Sequence, residues 1–251
     1  MRSFEIVAHR GAPDGVPENT IAAFQQALER GADAVELDVR LSKDGVPVVF
    51  HNFYLDDLAK ATGPVFAFTL AELQQVELLD GRGEPREQYR IPALREVLEV
   101  FGGQLGFEIE LKGPEAESSE ILARELHRVK HLWDEMEVAS FEPALLLDIG
   151  RRCPGLNTDL IQRRSEHWMR WDAVAHMAIH SARLAQARAV HLYPDQLSPQ
   201  VVDAVRSAGL EVHSGEINDL GTLSRVTELG IPKFDTDNLP LALEFRDGLE
   251  D

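Results

Sequence analysis

The chain has 251 residues, of which 44% are hydrophobic, and its 43 acidic residues outnumber 25 basic ones to give a formal net charge of −18. This length and apolar content exclude intrinsic disorder and fit one large α/β barrel or two small domains. The negative charge repels nucleic acids and anionic lipid surfaces, so we expect neither as a partner.

Cysteine usage and the amino terminus indicate where the protein works. Cys153 is the only cysteine, which excludes an intrachain disulfide and a thiolate cluster for zinc or iron–sulfur chemistry. The first residues are too few for a signal peptide before the apolar run 6–8, and the sequence contains no apolar run of membrane-spanning length. We therefore expect a cytoplasmic protein without stable membrane insertion. The oligomeric state stays open.

Short β-branched runs alternate with helical patterns along most of the chain. This alternation is typical of βα units and a parallel sheet. Eight such runs predict a closed barrel. The predicted strands are 4–9, 33–39, 105–111, 136–140, 157–161, 189–193, 210–214 and 232–236.

Helix start and stop signals lie between the predicted strands. Asn19 or Thr20 precedes a helical pattern that ends at Gly31. Ser198, followed by proline, opens another helix, and Asn218 opens a third. We predict these helices to be ordinary barrel helices.

The stretch 43–101 departs from the alternation. The pair Asp44-Gly45 predicts a tight turn before the apolar run 46–50, and the loop-rich segment 81–85 separates two helical patterns. We interpret the stretch as an insertion between the second and third barrel strands, too small for an independent core. Residues 1–251 are predicted to form a single domain.

Three predicted strands carry charged residues near their carboxyl ends, although a strand covered on both faces should be nearly all apolar. Because strand side chains alternate with a period of two, the charges in the second strand share one face, and so do those in the third. The residues are His9 and Arg10 after the first strand, Glu36 and Asp38 in the second, and Glu108, Glu110 and Lys112 in the third.

Burying these charges without partners would cost several kcal/mol each. Active sites of barrels lie at the carboxyl ends of the strands, where a divalent cation held by Glu36, Asp38 and Glu110 would balance the charge. Without a nearby cysteine, Mg²⁺ or Ca²⁺ is favoured over zinc. The alternative is a structural ion-pair network with Arg10, Arg40 and Lys112.

Two histidines complete a set of groups suited to phosphoryl transfer. His9 follows a buried strand, and His51 follows the apolar run of the inserted hairpin. Either histidine alone is typical of a structural hydrogen bond. Together with a carboxylate-bound cation and an Arg/Lys pair, they supply a proton acceptor, a proton donor and positive charge for phosphate oxygens.

Short sequence blocks that carry these residues are spread from residue 9 to residue 237. They read His9-Arg10-Gly11-Ala12, Pro17-Glu18-Asn19-Thr20, Glu36-Leu37-Asp38-Val39, Lys43-Asp44-Gly45 with His51, Ile91-Pro92-x-Leu94, Glu110-Leu111-Lys112, Ser140-Phe141, Asn218-Asp219 and Thr236-Asp237. In this order and spacing the blocks resemble the glycerophosphodiester phosphodiesterase family across essentially the whole chain.

The resemblance implies a fold, a reaction and site roles. The fold is a triosephosphate-isomerase-type (β/α)8 barrel with a small insertion, and the reaction hydrolyses glycerophosphodiesters to glycerol 3-phosphate and an alcohol. Neither the alcohol nor the choice between Mg²⁺ and Ca²⁺ is specified. The implied roles are acid/base catalysis for His9 and His51, metal binding for Glu36, Asp38 and Glu110, and phosphate binding for Arg10 and Lys112.

The chain departs from the family pattern at three places, one of which is the segment 59–62, where the family has Arg-Thr-Thr. Asn52 follows the second histidine where the family has Asp; an Asn still accepts a hydrogen bond but adds no charge, unless its side chain points away. Gly215-Glu216 replaces a Trp-Thr pair, which removes a large apolar wall. Glu216 is then a candidate contact for a cationic or polar head group, or it faces solvent.

Two other functions remain open on the sequence. A metal-dependent barrel lyase could stabilise an enolate with the same carboxylate-bound cation, but it leaves His51 unexplained. A binding protein could retain the fold without turnover, given the departures at Asn52 and Gly215.

Overall fold

The computed structural model describes residues 4–86, 88–115 and 117–249. The ends of the predicted domain, residues 1–3 and 250–251, lie outside the described residues. Within these ranges, eight parallel strands close into a barrel, and a ninth strand joins the same sheet from outside. The α/β barrel predicted from the sequence is confirmed.

The strands of the described chain are numbered in order. Eight of them form the barrel, and each agrees with its predicted range to within two residues at either end. The strands are β1 (Glu5–Ala8), β2 (Ala34–Leu41), β3 (Pro47–Val49), β4 (Leu78–Leu79), β5 (Pro85–Arg86), β6 (Gly106–Leu111), β7 (Met136–Ser140), β8 (Asn157–Ile161), β9 (Ala189–Leu192), β10 (Glu211–Ser214) and β11 (Lys233–Thr236).

Strand pairing fixes the closure of the barrel. β1 pairs in parallel with β11 on one side and with β2 on the other, which closes the sheet. β2 pairs in parallel with β6, so the chain between them leaves the barrel and returns. β3 pairs antiparallel with β2 as the hairpin predicted from Asp44-Gly45, and β4 pairs with β5 in a separate two-stranded sheet.

Helices cover the outside of the barrel. Among the described ranges, none of them combines the length and the apolar character needed to cross a bilayer. The helices are α1 (Ile21–Arg30), α2 (Leu70–Leu73), α3 (Leu94–Phe101), α4 (Ser118–Arg128), α5 (Pro143–Arg152), α6 (Trp171–Ala185), α7 (Pro199–Ser207), α8 (Leu220–Glu228) and α9 (Leu239–Asp247).

The structure selects one of the two caps predicted for the first helix and corrects the start predicted at Asn218. Thr20 rather than Asn19 caps α1, because its hydroxyl accepts the backbone N–H of Ala23. Asp219 rather than Asn218 caps α8, since its carboxylate accepts the N–H of Thr222. In both cases the preceding asparagine turns its amide toward the carboxyl ends of the strands instead. The start at Ser198 is confirmed.

The apolar residues form two separate clusters. The main cluster joins the barrel strands to the surrounding helices, and the α3 residues Leu94, Val97, Leu98 and Phe101 belong to it. α3 is therefore a barrel helix, although it lies inside the stretch assigned to the insertion. A smaller cluster covers residues 48–91 and includes Phe50, between β2 and α3.

A sharp turn after β1 positions the first predicted site residues. His9–Gly11 form one turn of 3-10 helix directly after the strand. Gly11 has a φ of +88°, and a Cβ at this position would lie 2.8 Å from the Ala23 carbonyl carbon. Glycine is required here because it adopts positive φ and allows α1 to approach the turn.

Candidate active site

The three predicted metal ligands lie together near the carboxyl ends of β2 and β6. Asp38 pairs in register with Glu110 across the two strands, and Glu36 precedes Asp38 by two residues on the same face. All three side chains are buried, and one oxygen of each lies within 4.8 Å of an oxygen of the others. The strand pairing therefore assembles an all-oxygen donor set.

Two permanent cations accompany this carboxylate cluster. The Lys112 ammonium lies 2.8 Å from Asp38 Oδ1 and 2.7 Å from Glu110 Oε2. The Arg10 guanidinium donates to Glu18 Oε1 at 3.0 Å, and its Nε lies 3.4 Å from Asp38 Oδ2. The ion-pair network considered from the sequence thus exists for Lys112 and Arg10.

The ion pairs do not balance the charge of the cluster. Glu18, Glu36, Asp38 and Glu110 contribute four carboxylates, whereas Arg10 and Lys112 contribute two positive charges. The excess negative charge and the close oxygens fit a divalent cation.

Arg40, the third cation of the network considered from the sequence, is held by backbone carbonyl oxygens. Its Nε donates to the His51 carbonyl oxygen at 2.9 Å, and its Nη1 donates to the Gly113 carbonyl oxygen at 3.1 Å. Arg40 therefore ties the segment carrying His51 to the segment that follows β6. Its charge acts on Asp38 and Glu110 without direct hydrogen bonds to either carboxylate.

The carboxylates respond differently to their surroundings. Burial raises the pKa of Glu36 well above its usual range, and the adjacent Asp38 charge raises it further. Burial also raises the pKa of Glu110, although Lys112 opposes the shift. Burial acts on Asp38 in the same direction, but Lys112 and His51 hold its pKa well below the usual range. Additional positive charge is needed to ionise all three.

Asn19 orients one of the ligands. Its Nδ2 donates to Asp38 Oδ2 at 2.7 Å, and its Oδ1 accepts the Asp38 backbone N–H at 3.2 Å. Both atoms of the amide are engaged, so Asp38 is fixed in position. The sequence block Pro17-Glu18-Asn19-Thr20 was the signal for this role, which the helix-cap interpretation missed.

His9 is held by a carboxylate. Its Nδ1 donates to Asp237 Oδ1 at 2.7 Å, and its Nε2 lies 4.0 Å from Glu36 Oε2. Asn218 donates to the other oxygen of Asp237 at 2.8 Å. Burial lowers the pKa of His9, but Asp237, Glu36 and Asp235 outweigh it and raise the pKa to about 10. Sequence reasoning missed Asp237, although it lies in the block Thr236-Asp237.

His51 is held by a neutral amide. Its Nδ1 donates to Asn52 Oδ1 at 2.7 Å, which leaves the Nε2 lone pair free to accept a proton. The side chain at position 52 thus points at the imidazole. Burial, together with the charges of Lys112 and Arg10, lowers the pKa of His51 to about 4 against the opposing Asp38 charge.

One cavity joins nearly all of the predicted site residues. Asp38 lies behind the cavity, and Glu216 is exposed at its rim. Glu108 also lines the cavity, but it makes no ion pair with Lys112 in the described part of the chain. Because Glu108 lies deeper on β6, it contacts His191 and Lys233 instead. The predicted residues that line the cavity are His9, Arg10, Glu36, His51, Glu110, Lys112 and Glu216.

The chain matches known proteins over nearly its whole length. The model of the glycerophosphoryl diester phosphodiesterase family matches residues 9–238. A glycerophosphodiester phosphodiesterase of Caldanaerobacter subterraneus subsp. tengcongensis is 31% identical over 241 residues, covering 93% of both chains.

Solved structures agree with this match. The glycerophosphodiester phosphodiesterase of Agrobacterium tumefaciens superimposes with a TM-score of 0.79 at 27% identity, over 95% of this chain and 98% of that chain. An Oleispira antarctica phosphodiesterase in complex with its product sn-glycerol-3-phosphate gives a TM-score of 0.82 at 25% identity, over 97% and 96%. With its fold, its carboxylate cluster and these matches in agreement, the chain belongs to the glycerophosphoryl diester phosphodiesterase family.

Proposed function

We propose that this protein hydrolyses glycerophosphodiesters to glycerol 3-phosphate and an alcohol. The main support comes from the cavity. Its lining includes two histidines with different hydrogen-bond partners, two members of the carboxylate cluster and a lysine: His9, His51, Glu36, Glu110 and Lys112. The names of the Caldanaerobacter and Agrobacterium relatives support this reaction, as does the product in the Oleispira structure. The barrel lyase considered from the sequence gives no role to His51.

Glu36, Asp38 and Glu110 would hold the cation. Three carboxylates without a nitrogen or sulfur donor favour Mg²⁺ or Ca²⁺. When bound, the ion supplies positive charge that polarises phosphate oxygens. Lys112 and Arg10 add donors at the same end of the cavity, and we assign them to the nonbridging phosphate oxygens.

The partners of the two histidines assign their roles. The Asp237 carboxylate stabilises a protonated His9, which donates a proton from Nε2. The neutral Asn52 amide orients His51 without stabilising its charged form, so Nε2 of His51 accepts a proton. His51 is therefore the general base and His9 the general acid.

The proposed reaction transfers one proton to His51 and one proton from His9. His51 Nε2 removes the proton from the attacking hydroxyl, which belongs to water or to the substrate's own glycerol. The new P–O bond forms while the bond to the departing alcohol breaks. The departing oxygen then takes the proton that His9 Nε2 holds. Attack by the glycerol hydroxyl gives a cyclic phosphate and leaves His51 protonated and His9 neutral. In a second step water forms a P–O bond and gives its proton to His9, while the P–O bond to the glycerol hydroxyl oxygen breaks and that oxygen takes the proton from His51.

We propose that Glu216 contacts the alcohol part of the substrate. Its carboxylate lies at the cavity rim near Tyr193, whose ring is covered by the Arg164 guanidinium at 3.7 Å from the centroid. A negative group at the rim favours a cationic or hydroxylated head group.

A cytoplasmic location and a single-domain organisation remain predictions. The predicted location rests on cysteine usage, since Cys153 is a buried free thiol.

Replacement of either histidine tests the assigned roles. Incubation with glycerophosphocholine and Mg²⁺ or Ca²⁺ should release glycerol 3-phosphate, and His9→Ala and His51→Ala should each lower kcat by about 10²-fold or more. A nitrophenyl diester needs no protonated leaving group. It should therefore restore turnover in His9→Ala but not in His51→Ala.

The exposed His176→Ala variant serves as the matched control and should keep wild-type turnover with both substrates. Near-normal turnover of glycerophosphocholine by either active-site variant would remove that histidine from the mechanism. Rescue of His51→Ala alone would exchange the two roles.

Restoring a carboxylate beside the base tests the role of Asn52. Asn52→Asp places a negative charge at the acceptor of the His51 Nδ1–H, which stabilises the imidazolium and raises the His51 pKa. Because the neutral form of His51 is the active base, activity is lost as the pH falls through that pKa. The acidic limb of the kcat profile should therefore move to higher pH.

Asn157→Asp adds the same charge at the start of β8, at the opposite end of the barrel, and should leave the profile in place. Superimposable profiles of the wild type and Asn52→Asp between about pH 4 and 9 would show that residue 52 does not tune His51.

Metal removal tests the carboxylate cluster independently of turnover. A cation bound to the native state alone stabilises it by mass action, by about 2.7 kcal/mol at a hundredfold excess over Kd. Protein treated with EDTA should melt at a lower temperature and lose turnover, and Mg²⁺ or Ca²⁺ should restore both. Glu110→Gln should abolish the response of the Tm to the ion.

Glu99→Gln on the exposed surface of α3 is the control and should respond like the wild type. Full activity in protein verified to be free of metal would show that the ligand assignment is wrong.

A further inference from the structure

A second group of ligating side chains lies deeper in the same cavity. Glu108 precedes Glu110 by two residues on β6, and it meets His191 from β9 and Asp235 from β11. One ligand atom of each lies within 4.8 Å of those of the others, and all three residues line the cavity. We propose that Glu108, His191 and Asp235 bind a second divalent cation, a transition-metal ion such as Mn²⁺ or Zn²⁺.

Asp235 offers an oxygen without a protein partner. Its Oδ1 is buried and accepts no hydrogen bond from any residue of the described chain. A buried carboxylate oxygen left in this way costs free energy unless a ligand takes it up. This carboxylate lies against the backbone of Gly215, where a Cβ would overlap it. The absence of a side chain at position 215 therefore creates the space that Asp235 occupies.

His191 is oriented as a metal ligand. Its Nε2 faces Asp159 Oδ2 at 3.4 Å, and Arg188 donates to the same oxygen at 2.9 Å. When Nε2 carries the proton for Asp159, the lone pair of Nδ1 faces Glu108 Oε1 at 3.3 Å. A ligating histidine that donates its other N–H to a carboxylate is the usual arrangement at protein metal sites.

A neighbouring triad is a weaker candidate. Asp159, His191 and His213 also bring three ligand atoms together, with His213 Nδ1 3.2 Å from His191 Nε2. Each triad has a basic side chain near one carboxylate, but Arg188 lies 2.9 Å from Asp159 Oδ2, whereas Lys233 lies 3.6 Å from Glu108 Oε2. The closer guanidinium would repel a cation more strongly at the Asp159 triad. Asp159 and His213 do not line the cavity, whereas the three proposed ligands do. We therefore assign Asp159 to the support of His191.

The donor set decides the kind of ion. Glu108 and Asp235 provide carboxylate oxygens and His191 provides an imidazole nitrogen. Imidazole suits zinc and other transition metals, while carboxylates suit harder ions such as manganese. The site near Glu36 lacks such a nitrogen in its donor set, so the two sites differ in the ion they select.

Titration with Zn²⁺ tests the proposal without a substrate, so its outcome is independent of the proposed hydrolysis. Metal-free protein is saturated with Mg²⁺ to fill the carboxylate cluster, and binding of Zn²⁺ is then measured by calorimetry. The wild type should bind one equivalent. Asp235→Asn and His191→Gln should each weaken that binding by about 10²-fold or more, and Asp159→Asn by about 10–100-fold.

Two controls separate the site from other sources of binding. His176→Ala removes one member of an exposed histidine pair on α6, in which the ring centroids of His176 and His180 lie 6.4 Å apart. This variant should still bind one equivalent of Zn²⁺. Glu36→Gln alters the carboxylate cluster and should also leave it intact. Gly215→Ala keeps every ligand but displaces Asp235, so it should weaken binding.

A measurement on the wild type alone covers the case in which a variant fails to fold. Electron spin echo spectroscopy of the Mn²⁺-loaded protein should show nitrogen coupling from one imidazole. Absence of that coupling, or Zn²⁺ binding by a folded Asp235→Asn variant that equals the wild type, would overturn the proposal. Loss of Zn²⁺ binding in His176→Ala alone would assign it to the surface pair.

Discussion

The fold buries three carboxylates close together at the carboxyl ends of its strands. These are Glu36, Asp38 and Glu110, and each buried charge costs several kcal/mol without compensation. Lys112 and Asn19 compensate part of this cost through direct contacts. The cation proposed for this cluster would supply the remainder, and its binding would then be coupled to the stability of the fold.

The acid and base roles proposed for the two histidines rest on their different hydrogen-bond partners. His9 and His51 lie on one cavity, yet Asp237 holds the first while Asn52 holds the second. A carboxylate partner favours the imidazolium and a neutral amide does not, so both proton-transfer roles are available at one pH. The departure at position 52 therefore sharpens the difference between the histidines instead of removing the base.

The sequence predicted features that depend on side-chain alternation within one strand, but it did not predict contacts between strands that are distant in the chain. Alternation predicted that Glu36 and Asp38 share one face of β2, and that Glu108 and Glu110 share one face of β6, because side-chain period is a property of each strand. The register that brings the two pairs side by side appears only in the structure. Contacts between distant segments carried no such signal: Asp237 is 228 residues from His9. The same holds for Glu108, whose partners come from β9 and β11 rather than from its own strand.

Crystallography with anomalous scattering shows directly whether Glu36, Asp38 and Glu110 bind a divalent cation. Crystals grown with Mn²⁺ in place of Mg²⁺ should show an anomalous peak bonded to one oxygen of each carboxylate, at about 2.0–2.6 Å. A map without a peak between these residues, in which Lys112 keeps its contacts to Asp38 and Glu110, would contradict the account.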